Sequence, residues 1–144
     1  MIYQFEGSKY QTTRNLTTSE TAKLIRQEIN EKYSKKDGWK ISVRTKLFAG
    51  GSSIDVWVVD TKIKVFQDDY AKLEIAKDWE GIRSIRWENQ GYTEEFNKVL
   101  KDLEAIVNQY NYDDSDSMTD YFNVGFYSSV GIDWEAKKDL LNLN

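Results

Sequence analysis

Two sets of charged side chains in this sequence are of a kind that could do chemistry. Lys40, Arg44 and Lys46 recur at even positions ahead of Trp57. Cations interleaved with an aromatic are what proteins use to hold phosphates and stack bases. On a solvated strand the same residues would do no more than lay a cation over an indole, worth about 1 kcal/mol. The second set is acidic: Asp68 and Asp69, then Asp113, Asp114, Asp116 and Asp120. A calcium loop of the EF-hand type needs ligands at alternating positions with a glycine and a distal glutamate in fixed register, and that register is missing. A two-metal nuclease needs carboxylates converging from separate strands. The run DDSDSMTD therefore reads as an acidic turn capped by its own Asp and Ser side chains, with no metal and no cofactor expected. Arg83 and Arg86, three apart on a presumed strand, would face opposite ways and form no clamp.

The chain contains no cysteine and no histidine. Thiol nucleophiles, disulfides and Cys-ligated zinc are excluded, as are the usual general base and the commonest transition-metal ligand. No catalytic residue is assigned, and the chain is read as a non-enzyme.

Gly50-Gly51, inside VRTKLFAGGSSIDVWVVD, invites comparison with a phosphate cradle. A Walker-type loop would place Lys and Ser/Thr directly after the last glycine and then open a helix. Here two alternating runs flank the glycines, so the pair predicts a hairpin turn in which both glycines accept positive φ.

The elements around these residues are legible from their periods. Ile2–Phe5 predicts a short strand ended by Gly7-Ser8. Thr17-x-x-Glu20 is a capping box, and Ala22, Ile25, Ile29 and Tyr33 follow at helical spacing, ending near Gly38. Trp39, Ile41, Val43, Thr45 and Leu47 then alternate with Lys40, Ser42, Arg44 and Lys46. After the turn Ile54, Val56 and Val58 alternate with Asp55, Trp57 and Val59. KIKVFQDDYAKLEIAKDW has a weaker helical pattern and IRSIRW that of a short strand. Tyr92–Tyr110 predicts a helix with an apolar stripe through Phe96, Leu100, Leu103, Ile106 and Val107. Residues 121–130 predict a final strand, and residues 134–144 a short helical tail expected to fray. The 144-residue chain, 40% hydrophobic and without a proline, repeat or low-complexity tract, suits one domain with one core. The expected fold is α+β, an antiparallel sheet of about four strands with two or three helices on one face.

Charge is uneven along the chain. Residues 1–64 hold 12 basic and 7 acidic side chains, a balance of +5, and residues 65–144 hold 8 and 17, a balance of −9, which together give the net −4. An acidic surface favours basic grooves, and a basic one favours phosphates. There is no apolar run of membrane-spanning length and no signal-peptide pattern at Met1-Ile2-Tyr3-Gln4-Phe5, so a cytoplasmic protein without membrane association is expected.

The pieces AKLIRQEI, KISVRT…AGGSSIDVWVVD and NYDDSDSMTDYFNVGFY, in that order between about residues 17 and 127, resemble the large polyvalent protein-associated domains found in phages and other mobile elements. The resemblance departs where the family's second hairpin strand runs into Asp-Gly-Pro. Here Asp60 is followed by Thr61 and Lys62, so nothing built on that tripeptide is carried over. What it implies is context: a small free-standing mobile-element protein, similar to counter-defence inhibitors such as the anti-CRISPR proteins. The expected partner is a host protein or ribonucleoprotein complex that handles nucleic acid, its basic groove occupied by Asp68, Asp69 and the Asp113–Asp120 loop. The alternatives are an accessory protein that binds nucleic acid through Lys40, Arg44, Lys46 and Trp57, or a metal-dependent nuclease built on the aspartates.

Overall fold

The computed structural model describes residues 5–67, 91–116, 118 and 123–140. In chain order the elements are β1 (Phe5–Glu6), α1 (Tyr10–Thr13), α2 (Thr18–Lys32), a 3₁₀ turn (Lys35–Asp37), β2 (Lys40–Phe48), β3 (Gly51–Asp60), α3 (Glu94–Asn108), β4 (Tyr112–Asp113), β5 (Tyr127–Ile132) and α4 (Trp134–Leu140). The fold is α+β. The helical pattern KIKVFQDDYAKLEIAKDW is not helix over residues 62–67, where Phe66 instead bridges antiparallel to Tyr92. The rest of that segment, the strand IRSIRW, Arg83, Arg86 and the acidic residues Asp68, Asp69 and Asp120 lie outside the described residues.

α2 begins at its predicted capping box. The Thr17 hydroxyl accepts the Glu20 N–H at 3.1 Å, and the Glu20 carboxylate accepts the Thr17 N–H at 3.0 Å, so two of the orphan donors of the first turn are satisfied reciprocally. Ala22, Ile25 and Ile29 are then buried on one stripe. α3 is shorter at both ends than its apolar pattern. Thr93 stops it at the N-terminus, accepting the Phe96 N–H at 3.1 Å and donating to the Lys64 carbonyl at 2.6 Å. Phe96, Leu100, Leu103, Ile106 and Val107 are buried, as the periodicity predicts. They share one core with the α2 stripe, with Ile54, Val56 and Val58 of β3, and with Ile132 of β5.

The sheet differs from the expected antiparallel one of about four strands. There are two sheets among the described residues, β1 with β4, and a three-stranded sheet in the order β2-β3-β5. β2 and β3 are antiparallel, but β3 and β5 run parallel, pairing Ser53 with Tyr127 through Val58 with Ile132. Alternating apolar positions reveal which face of a strand is buried but not which way the strand runs. That direction is set by the path of the chain, because a parallel neighbour needs a long crossover in place of a hairpin. Here the crossover includes α3.

Two further expectations are corrected. The last strand runs Tyr127–Ile132 and does not include residues 123–126, where the Phe126 backbone is held by Asn111. The Asn111 carboxamide is buried, accepts the N–H groups of Tyr112 at 2.9 Å and Phe126 at 3.0 Å, and donates to the Phe126 carbonyl at 2.9 Å. The tail is helical over 134–140, as expected, but is held rather than frayed there: Asp133 caps α4 by accepting the Glu135 and Ala136 N–H groups, and Lys137 is buried near the Trp134 ring.

β2 forms an edge of the sheet. Arg26 of α2 reaches it and donates to the Val43 carbonyl at 2.7 Å. A guanidinium on an edge carbonyl, together with lysines on the same strand, opposes pairing with a further strand.

Candidate functional site

The β2–β3 register places the predicted basic residues. Val43 lies opposite Val56 on the core side, while Arg44 faces Asp55, Lys46 faces Ser53 and Ser42 faces Trp57. β5 extends these rows, so the outer face reads Lys46–Ser53–Tyr127, then Arg44–Asp55–Ser129, then Ser42–Trp57–Gly131. Lys40, Arg44 and Lys46 are exposed and Trp57 is half-buried. Directly opposite residues have Cβ atoms about 5 Å apart. Asp55 therefore sets a carboxylate in the middle of the basic face, next to Arg44.

Lys40 belongs elsewhere. The β2–β3 register shifts between Lys40 and Ile41, and Lys40 pairs with Asp60. It borders a cavity of about 380 Å³ with Asp60, Thr61, Val65 and Asp139 at the far end of the hairpin from Lys46. At about 3.3 Å per residue, six residues separate the two lysines by roughly 20 Å. The cation set is thus divided, with Arg44 and Lys46 toward the tip.

Residues that the sequence pattern did not single out complete the tip. Phe48 and Tyr127 are 48% and 43% exposed, and their ring centroids lie 6.0 Å apart with a 34° interplanar angle. Gly51 lies beneath the pair: a Cβ there would touch both rings at an ordinary contact distance of 3.4 Å. The two glycines accordingly have different jobs. Gly50 alone has positive φ, 91°, and makes the turn, whereas Gly51 is the first residue of β3, beneath the aromatic pair. The signal was present, since Phe48 continues the even-numbered outward face of Arg44 and Lys46.

The acidic loop is ordered by its own carboxylates. Asp113 Oδ1 accepts the Ser115 N–H and Asp116 Oδ1 the Met118 N–H, each at 2.9 Å. The Asp114 N–H donates to the Asn123 carbonyl at 2.8 Å, and the Asn123 N–H to the Ser115 hydroxyl at 3.0 Å. Asp113 and Asp116 are exposed and Asp114 half-buried. Among the described residues no group of three or more His, Cys, Asp or Glu side chains converges to hold a metal. Asp113 also shares a cavity of about 340 Å³ with Phe5, Tyr112, Val124 and Tyr127. The basic and acidic candidates, distant in sequence, thus meet at Tyr127.

Two clasps couple α2 and α3 electrostatically. In the first, Glu28 accepts hydrogen bonds from Lys9 and from the Tyr110 hydroxyl, and Gln109 lies 3.5 Å from its other oxygen. In the second, Asp102 accepts from Tyr33 at 2.6 Å and pairs with Lys32 at 2.7 Å. Burial pushes both carboxyls up, but the donors outweigh it and hold each below the usual carboxylate range. Burial and the neighbouring carboxylate push both phenols above their ordinary range. These groups satisfy one another and tie the helices together.

The α+β scaffold thus presents a three-stranded sheet face beside a self-capped acidic loop. Compared with protein-family models, curated proteins and solved structures, the chain matches none. No described helix is long and apolar enough to cross a membrane.

Proposed function

We propose that this protein is a non-catalytic binding protein whose acidic loop occupies a basic groove on a partner that handles nucleic acid. In keeping with the mobile-element resemblance, its role is to inhibit a host defence complex in the host cytoplasm. The observation that carries this reading is the order of the loop: Asp113 accepts the Ser115 N–H and Asp116 the Met118 N–H, and both side chains are exposed. A loop already shaped by its own hydrogen bonds loses less entropy on docking than a mobile one. Presented carboxylates also steer a basic partner toward it. Asp68, Asp69 and Asp120 belong to the same proposal through the −9 balance of residues 65–144.

Replacing Asp113, Asp114 and Asp116 together by Asn tests it, because an Asn side-chain oxygen still caps these turns while the charge is gone. Captured from host lysate at two salt concentrations, the partner should bind the variant more weakly and with less sensitivity to salt. Equal capture by variant and parent refutes the reading. So does cleavage of nucleic acid by the purified protein that depends on Mg²⁺ or Mn²⁺.

A further inference from the structure

From the outer face of the hairpin tip we infer a second binding site, for single-stranded nucleic acid, distinct from the acidic loop. Phe48 and Tyr127 offer two exposed rings over Gly51, with centroids 6.0 Å apart. Lys46 stands in the same cross-strand row as Tyr127, and Arg44 in the next row. Exposed aromatics on a sheet with cations one row away match the two parts of an unpaired strand, whose base faces stack on rings while its phosphates pair with Lys and Arg. A duplex hides its base faces and can offer this surface only its phosphates.

Charge complementarity also sets the side on which the phosphates lie. Asp113 shares a cavity with Tyr127 on the β5 side, so phosphates are repelled there and drawn toward Lys46 and Arg44 on β2. Asp55, opposite Arg44, weakens the attraction one row further in. The footprint is therefore short, two stacked bases at the tip with their phosphates over β2. Because every base has a π-face, stacking of this kind tolerates any sequence.

Fluorescence anisotropy of the full chain with labelled oligothymidine and oligouridine of about ten nucleotides, against a duplex of the same length and over a salt series, tests the site. Single strands should bind more tightly than duplex. Phe48→Ala and Tyr127→Ala should each weaken binding about tenfold with thermal unfolding unchanged, while Tyr127→Phe keeps affinity. Lys46→Ala should reduce the slope of log affinity against log salt by about 0.7. The Asp113/Asp114/Asp116→Asn variant should bind the oligonucleotide more tightly, opposite in sign to its loss of partner capture, which keeps the failure of the two proposals distinguishable. The inference is overturned if the parent binds no oligonucleotide at low salt, if duplex binds as well as single strand, or if both alanine variants bind like the parent. A protein captured by the parent and lost in both variants, without oligonucleotide binding, would assign the tip to a protein instead.

Discussion

Tyr33, just past the C-terminal end of α2, donates its hydroxyl to the Asp102 carboxylate of α3 at 2.6 Å, and Lys32 pairs with the same carboxylate oxygen at 2.7 Å. Glu28 and Tyr110 repeat the arrangement with the roles of the helices exchanged, so each helix supplies one carboxylate and receives one phenol. A hydrogen bond to a charged acceptor contributes about 1.5–3 kcal/mol. Tyr33→Phe and Tyr110→Phe should each lower stability by about 1–2 kcal/mol in urea unfolding, and the double variant should lose nearly the sum, because the two clasps share no group.

The clasps also define two pH limits. Glu28 and Asp102 titrate below their unfolded values, so their contribution is complete above about pH 4 and is lost as pH falls through the lower folded values. Tyr33 and Tyr110 titrate above theirs, so their contribution is complete below about pH 10 and is lost as pH rises through the higher folded values. The unfolding temperature should fall on both sides of this window. In the Tyr33→Phe/Tyr110→Phe variant the alkaline fall should shrink, and an alkaline limb identical to the parent's would exclude the phenols as its cause.

Gly50 and Gly51 should respond differently to substitution. Nothing lies within 4 Å of a Cβ at Gly50, so the cost of Gly50→Val there is conformational, about 1–3 kcal/mol from a φ of 91°. Gly50→Asn should be milder, because asparagine tolerates the left-handed region. Gly51→Ala keeps an extended backbone and should change thermal unfolding little.

Register can be checked on β2 itself. Val43 is 6% exposed and Arg44 is exposed, so Val43→Ala should cost about 1–3 kcal/mol and Arg44→Ala within about 0.5 kcal/mol. Equal costs would move every outward residue of this strand to the core side.

Much of the fold was legible because its signals are local. The Thr17–Glu20 box, the α3 stripe and the Ile54–Val56–Val58 alternation each depend on neighbours within a few residues, and each appears where the pattern puts it. The direction of β5 was not, since nothing inside residues 127–132 distinguishes a parallel from an antiparallel partner. Asn111 was equally hidden. Its three hydrogen bonds reach Tyr112 and both backbone groups of Phe126, and a lone Asn after a helix signals only a stop. Of the candidate site, the outward face of Arg44, Lys46 and Trp57 came from alternation. The meeting of that face with Asp113 at Tyr127 could come only from the tertiary path.

The Asn111 latch yields one more test. A Cβ at Gly125 would lie 2.7 Å from Asn111 Oδ1 and 3.2 Å from the Tyr112 ring. Gly125→Ala must therefore displace the carboxamide and should destabilise by at least about 1 kcal/mol. Asn111→Asp removes the donor to the Phe126 carbonyl and should cost about 2 kcal/mol or more. Wild-type unfolding temperatures for both would show that the latch does not hold the entry to β5.

The parallel seat of β5 against β3 has a consequence for the order of assembly. α2 and the β2–β3 hairpin are local in sequence and can form early, but β3 remains a strand with one open side until residues 127–132 arrive. Closing so long a loop is slow compared with making the hairpin. Until then Ile54, Val56 and Val58 lie beside a vacant hydrogen-bonding edge, the kind of surface on which nascent chains associate with one another. During synthesis the waiting time is set by the whole stretch from Asp60 to Tyr127, which makes the last-formed pairing of the sheet the step at which a second copy of the chain can compete with the first.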